Sequence, residues 1–122
     1  MSGIKFLADT NCFIYLPDQN PLVLPFTDEA WAFSYITEIE LLSKKILSDS
    51  DEIIIKQMLN ACLKVTHTQV LTDLVIILKR KNNIKLPDAI TAASAQILQI
   101  PLITADKDFT RLAEIDCIIL DF

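Results

Sequence analysis

Apolar positions along the chain fall into two kinds, short unbroken runs and stripes at helical spacing, and the two kinds alternate. Ile4 to Ala8 (IKFLA) is a run of strand type. It precedes a short helix from Thr10 to Leu16 that stops before Pro17, because the residue ahead of a proline is pushed out of the helical region. A loop containing Pro21 and Pro25 leads to AFSYIT, read as a second strand ending near Thr37. A helix follows through EIELLSKKIL, where Ile39, Leu42 and Ile46 recur at spacings of three and four. SDSDEIIIKQMLNACL places Ser and Asp start signals ahead of Ile55, Met58, Leu59 and Cys62, the pattern of another amphipathic helix. KVTH is a third strand, and QVLTDLVIILKR, with Leu71, Leu74, Val75 and Leu78 on one face, is a helix ending in Lys79, Arg80 and Lys81.

Pro87 opens the next helix through DAITAASAQIL, since proline's missing N–H would have been unpaired in a first turn. Ala89, Ala92, Ala93 and Ala95 make that helix slim enough to approach a sheet closely. PLIT (Pro101 to Thr104) is a fourth strand, DKDFTRLA a short helix, and CIIL (Cys117 to Leu120) a last strand. Strands separated by helices imply βαβ units, hence an α/β fold with a mostly parallel sheet covered on both faces.

Composition narrows the class. The 122 residues suffice for one domain, read here as residues 1–122, that buries roughly two thirds of its unfolded surface. Hydrophobic residues make up 52 % and glycine occurs once, so a disordered linker is not expected. No apolar run approaches a bilayer crossing and no leader pattern opens the chain, so a cytoplasmic protein with no membrane contact is expected. Cys12, Cys62 and Cys117 are odd in number and set among apolar neighbours, as reduced core thiols are. A zinc site is unsupported, with no C-x-x-C pair and His67 the only histidine. The net charge of −5 argues against a general basic face for nucleic acid, but not against a nuclease, because metal-holding carboxylates recruit phosphates through the metal.

In an open parallel sheet, ligands bind outside the carboxyl ends of the strands. Asp9 follows the first strand directly, Glu40 lies one helical turn beyond the second, and Asp106 and Asp108 follow the fourth. Asp88 stands in the first turn of the alanine-rich helix. Each has a local explanation: Asp9 and Asp106 as helix caps, Asp88 as a complement to a helix dipole, Glu40 as a partner of Lys44 four residues on. Jointly they point to chemistry. Convergent carboxylates repel, so they hold protons or are neutralised by a cation, and Mg²⁺ or Mn²⁺ suits an all-oxygen site. Such ions generate hydroxide and clamp the oxygens of a phosphodiester without histidine or cysteine. Thr104, Thr10 and Asn11 are placed to orient waters or support that site.

FLADTN, ITEIELL, LPDAITAASA and LITADKDF, in this order over almost the whole chain, resemble the PIN domain. The likeness is strongest to the small toxin ribonucleases of VapBC toxin–antitoxin pairs. It implies a three-layer α/β/α sandwich, a Mg²⁺ or Mn²⁺ centre and endonucleolytic cleavage of RNA. Asp9, Glu40, Asp88 and Asp106 match the family's four acids, with Asp9, Asp88 and Asp106 binding the ion. Glu38 lacks the required spacing to Thr37 and Leu41. Asp108 matches a further acid, and Thr104 a supporting hydroxyl. The glycine often found after the ELL block is missing, and residues 47–85 carry no family motif. The resemblance also implies a homodimer and a small antitoxin across the site, for which Phe13, Tyr15, Leu16 and Trp31 are candidate groove residues, with core packing the ordinary reading of each. Lys44, Lys45 and Lys79 to Lys81 are candidate phosphate contacts. The alternative is a PIN-like scaffold that binds RNA or protein without cutting. A phosphoacceptor receiver domain lacks its paired acids and terminal lysine here, and a dinucleotide enzyme lacks its glycine-rich loop.

Overall fold

The structure is a computed structural model that describes residues 3–15 and 30–120. Leu16, Pro17, Pro21 and Pro25, and the side chain of Tyr15, lie outside the described residues. The elements in chain order are β1 (Ile4–Ala8), α1 (Thr10–Tyr15), β2 (Ala30–Ser34), α2 (Tyr35–Leu42), α3 (Asp49–Asn60), β3 (Leu63–Val65), α4 (Gln69–Lys81), α5 (Leu86–Leu98), β4 (Leu102–Thr104), a 3-10 helix (Lys107–Arg111) and β5 (Cys117–Ile119). The strands form one sheet in the order β3-β2-β1-β4-β5, and every pairing is parallel.

Successive side chains of a strand point to opposite faces, and here that alternation builds two cores. On one face Leu7, Ala32 and Leu102 pack with Leu71, Val75 and Leu78 of α4 and with Ala89, Ala92, Ala93 and Ala95 of α5. On the other, Ala8, Phe33 and Ile103 pack with Cys12 and Phe13 of α1, Leu41 of α2 and Leu59 of α3. The result is the α/β/α three-layer arrangement expected from sequence, with an all-parallel sheet. The alanines of α5 are fully buried, which lets its backbone lie close to β1 and β2.

Several elements differ from expectation. AFSYIT is not one strand: β2 ends at Ser34, whose hydroxyl accepts the Ile36 N–H, so Tyr35, Ile36 and Thr37 open α2. That helix stops at Leu42 rather than running to Leu47, with Ser43 as its C-cap: the Ser43 N–H closes the last helical bond to the Ile39 carbonyl and its hydroxyl donates to the same oxygen. Ile46 is therefore almost fully solvent-exposed instead of sitting on a buried stripe. The third strand is Leu63–Val65, one residue earlier than KVTH, and the DKDFTRLA segment forms a 3-10 rather than an α-helix.

The strand order places a topological switch point at the centre of the sheet: the chain leaves β1 toward β2 on one side and returns to β4 on the other. A crevice outside the carboxyl ends of the strands belongs at that point. Asp9 ends β1, and Thr104 ends β4 beside it.

The close approach of α5 is testable. Ala93→Leu should cost about 1–3 kcal/mol by urea unfolding, since the added side chain has no room under the helix. Ile46→Ala should stay within about 0.5 kcal/mol of the parent.

Candidate active site

Asp9 is buried, yet it stands directly outside the central strand. Its backbone N–H donates to the Ile103 carbonyl at 2.9 Å, continuing the β1–β4 ladder by one bond, and this fixes where the carboxylate points. Both carboxylate oxygens are engaged: Oδ1 accepts the Thr10 N–H at 2.8 Å and Oδ2 accepts the Thr104 hydroxyl at 2.7 Å. Asn11 Nδ2 reaches Oδ2 at 3.5 Å, while Asn11 Oδ1 accepts the Ala105 N–H at 3.3 Å. Asn11 thus ties α1 to the segment after β4. Thr104, fully buried, also accepts the Asp106 N–H at 3.0 Å, and Asp106 caps the 3-10 helix by accepting the Asp108 N–H at 2.9 Å. The capping expected of Asp106 is real and leaves its other oxygen for a further partner.

Glu40 does not appear among the described ion pairs, Lys44 included. Its Oε1 accepts the Thr10 hydroxyl at 2.7 Å. Thr10 Oγ1 also lies 3.1 Å from Thr37 Oγ1. A hydroxyl has one proton, so with Thr10 donating to Glu40, Thr37 donates to Thr10. Thr37, with no exposed surface, begins a chain of hydroxyls that holds an exposed glutamate in place. This role went unread in the sequence, although a hydroxyl three residues before an acid on one helix is a visible signal. Glu38 points elsewhere and pairs with Lys64 at 3.3 Å.

The acids feel one another. Asp9 is pushed up to about 6, first by burial, against the hydrogen bonds from Thr104 and Thr10, with the charges of Asp88 and Glu40 adding. Asp88 is also raised, by burial first and then by Asp106 and Glu40; Lys85 pulls the other way and Asp108 adds. Asp9, Glu40, Asp88, Asp106 and Asp108 therefore share one electrostatic neighbourhood at the switch point. Burial, helped by Asp9, pushes the Cys12 thiol up to about 12, which leaves no thiolate for nucleophilic work. His67 bonds Thr72 Oγ1 at 2.8 Å and meets the Tyr35 ring edge-on.

Among the described residues no three Asp, Glu, His or Cys side chains close around a point as a metal cage does. The donor chemistry nevertheless fits a hard cation: all oxygens, with Asp9 and Asp88 both raised by burial first and by neighbouring carboxylates in addition. Mg²⁺ is characteristically held by one or two carboxylates with waters completing its shell, so an open set of acids suits it.

Of the groove candidates, Trp31 takes its core reading, while Phe13 packs in the core and also lines the groove described below. Phe13 and Trp31 are buried and meet edge-to-face at 5.9 Å, as Phe13 and Phe33 do at 6.0 Å. Trp31 lies in β2. A groove of about 310 Å³ does run between α1, α2 and α3, lined on its apolar side by Ile14, Leu47, Ile54 and Ile55. Lys44 borders that groove, whereas Lys79 borders a different cleft, of about 440 Å³, which carries Asp88, Asp106 and Asp108.

Comparison with known proteins agrees with this architecture. The PIN domain family model matches residues 6–115. A toxin–antitoxin complex from Klebsiella pneumoniae contains a chain 27 % identical, with a TM-score of 0.78 over 91 % of this chain and 95 % of that one. VapBC2 from Rickettsia felis, bound to a DNA fragment from their promoter, is 19 % identical, with a TM-score of 0.78 and coverage of 97 % and 99 %. VapBC-1 from nontypeable Haemophilus influenzae is 21 % identical, with a TM-score of 0.77 and coverage of 98 % and 99 %. At 19 % and 21 % identity the likeness is one of fold. No curated protein matches the chain in sequence.

The shift of Asp9 has a sign that can be measured. Its folded carboxyl binds a proton more readily than the unfolded one, so in chelator the native state holds the extra proton between about pH 4 and pH 6. Stability should fall as pH rises through that window, by on the order of 3 kcal/mol from this group. Asp9→Asn removes the penalty, and its amide can keep both hydrogen bonds, because the Thr104 hydroxyl can accept as well as donate. The variant should therefore melt above the parent at pH 7.5 in chelator, with the difference vanishing near pH 4.

Proposed function

The chain belongs to the PIN domain family, and from that premise we propose that it is a Mg²⁺- or Mn²⁺-dependent endoribonuclease, the toxin of a toxin–antitoxin pair. The observation that carries this reading is the meeting of acids from β1, α2, α5 and the segment after β4 at the switch point, with Asp9 held buried and ionisable among them. A protein that only binds has no need to collect charges that destabilise one another.

Asp9, Asp88 and Asp106 would hold the ion, Glu40 would hold it or orient the attacking water, and Asp108 would support a second ion or the first. When bound, the ion supplies a water acidified toward hydroxide and neutralises charge on the phosphate. The protein's own part is placement. Thr104 and the Thr10 N–H fix the two oxygens of Asp9, so its carboxylate has no rotational freedom to lose on binding. The Thr37–Thr10 hydroxyl chain holds Glu40, whose helix otherwise leaves it free in solvent. Asn11 bridges the two strand ends that carry Asp9 and Asp106. With Cys12 held as a thiol and His67 turned to Thr72 and Tyr35, the carboxylates are the groups at the crevice fitted to acid–base work.

The toxin assignment is supported by the full-length likeness to chains of toxin–antitoxin complexes, the first of them at 27 % identity. The partner would be a small antitoxin lying in the groove between α1, α2 and α3, and the toxin would act as a homodimer in the cytoplasm. No helix among the described residues is long and apolar enough to cross a membrane.

With Mn²⁺ present, Asp9→Asn and Asp88→Asn should each lower cleavage of RNA by on the order of 10²–10³-fold, with the circular dichroism spectrum unchanged. Asp108→Asn should lose about tenfold. Full activity in the Asp9 or Asp88 variant would overturn the assignment.

A further inference from the structure

The loop that follows β3, the strand at one side of the sheet, carries an exposed aromatic ring. Among the described side chains, Phe6, Phe13, Trp31, Phe33 and Phe109 pack into or against the two cores and Tyr35 is half-buried, whereas His67 is exposed. The imidazole is nevertheless held in place. Its Nε2 lies 2.8 Å from Thr72 Oγ1 in the first turns of α4, and its ring meets the Tyr35 ring at 6.3 Å and 88°. Tyr35 is itself fixed at the start of α2, packed against the core under α4 and α5. A perpendicular ring on one side and a hydrogen bond at the ring edge set the imidazole plane and leave at least one flat face uncovered by either.

Strand register places that face relative to the acids. Leu7 of β1, Ala32 of β2 and Leu63 of β3 are partners in one row across the sheet. Neighbouring strands lie about 4.8 Å apart, so β3 runs about 10 Å from β1. All the strands are parallel, so Asp9, two residues past Leu7, and His67, four past Leu63, emerge at the same edge. His67 stands on the β3 side of the switch point, away from Asp106 and Asp108, which follow β4.

Resting on the ribonuclease reading above, we propose that the His67 ring is a stacking platform for one unpaired base of the RNA, on the β3 side of the phosphate held at the acids. A stacked strand advances about 3.4 Å per nucleotide, so the base concerned is about three nucleotides from that phosphate. The ring is ordered before the RNA arrives, so little side-chain freedom is lost when a base settles on it. Stacking also suits this chain. With a net charge of −5 it has no general basic face to grip a backbone, and a base held by its flat face needs no cation. Glu38, on the same flank, is paired with Lys64 at 3.3 Å, which lessens its repulsion of a passing phosphate. The platform selects for single strands, because only an unpaired base can be splayed out to offer its face to a side chain.

His67 is the only histidine in the chain, so its ring protons give isolated NMR signals. The full chain is titrated in chelator, where no divalent ion supports cleavage, with a short single-stranded oligoadenylate. The His67 ring signals should move upfield and saturate, and should stay in place when the same strand is annealed to its complement. His67→Gln, which can keep a bond to Thr72 but has no ring, should weaken binding of the single strand roughly tenfold, and His67→Trp should restore it. In Mn²⁺ the Gln variant's loss in RNA cleavage should fall on KM, with kcat unchanged. Ring signals that stay put throughout the titration, or a Gln variant that binds as tightly as the parent, would overturn the platform. So would signals that move with protein concentration alone, which would set His67 between two copies of the chain. If the parent cuts no RNA in Mn²⁺ while the ring signals respond as expected, the ribonuclease reading falls and the platform stands.

Discussion

The site depends on one buried hydrogen bond, from the Thr104 hydroxyl to Asp9 Oδ2, made where β1 and β4 end side by side. Burying a carboxylate is costly unless its charge is met by donors or a cation. Here Thr104 and the Thr10 N–H meet part of that cost, and the rest shows as a carboxyl pushed up to about 6. The parallel sheet makes the bond possible. With the chain turning away from β1 in one direction and coming back on the other side, two strand ends that are 95 residues apart in sequence share a crevice.

Everything else at the crevice is arranged around that fixed acid. The slim α5 brings Asp88 in from one layer, and α2, capped at Ser34, brings Glu40 in from the other through Thr10 and Thr37. Asp106 is held by its backbone to Thr104 and spends one oxygen on the turn that follows. Local stability and site geometry are therefore the same hydrogen bonds seen from two sides. The acids that cap and tether are also the acids that repel, and the repulsion persists because the sheet leaves no other place for the strand ends to go.

Much of this was legible in the sequence because its signals are local. Short unbroken apolar runs and stripes at a spacing of three to four mark the elements in order, and the acids fall at strand ends by their position in the sequence alone. Where the sequence misled, a hydroxyl outweighed side-chain preference. Tyr35, Ile36 and Thr37 favour strands by type, yet the Ser34 cap turns them into helix, and Ser43 ends that helix early. Phe13 and Trp31 could by type serve either a groove or the core, and contacts decide it: Phe13 meets both Trp31 and Phe33 edge-on in the core and still borders the groove. The sheet order and the Thr37–Thr10–Glu40 chain depend on contacts between distant segments, and no local pattern encodes them.

The central claim is that the acids at the switch point form a divalent-cation site whose repulsion the ion relieves. A ligand that binds only the folded state raises its stability in step with ligand concentration. The direct measurement is the melting temperature at pH 7.5 as Mn²⁺ is raised, for the parent and for Asp88→Asn. The account predicts a progressive rise for the parent and little or none for the variant. A flat parent curve, or an equal rise in both proteins, would contradict it.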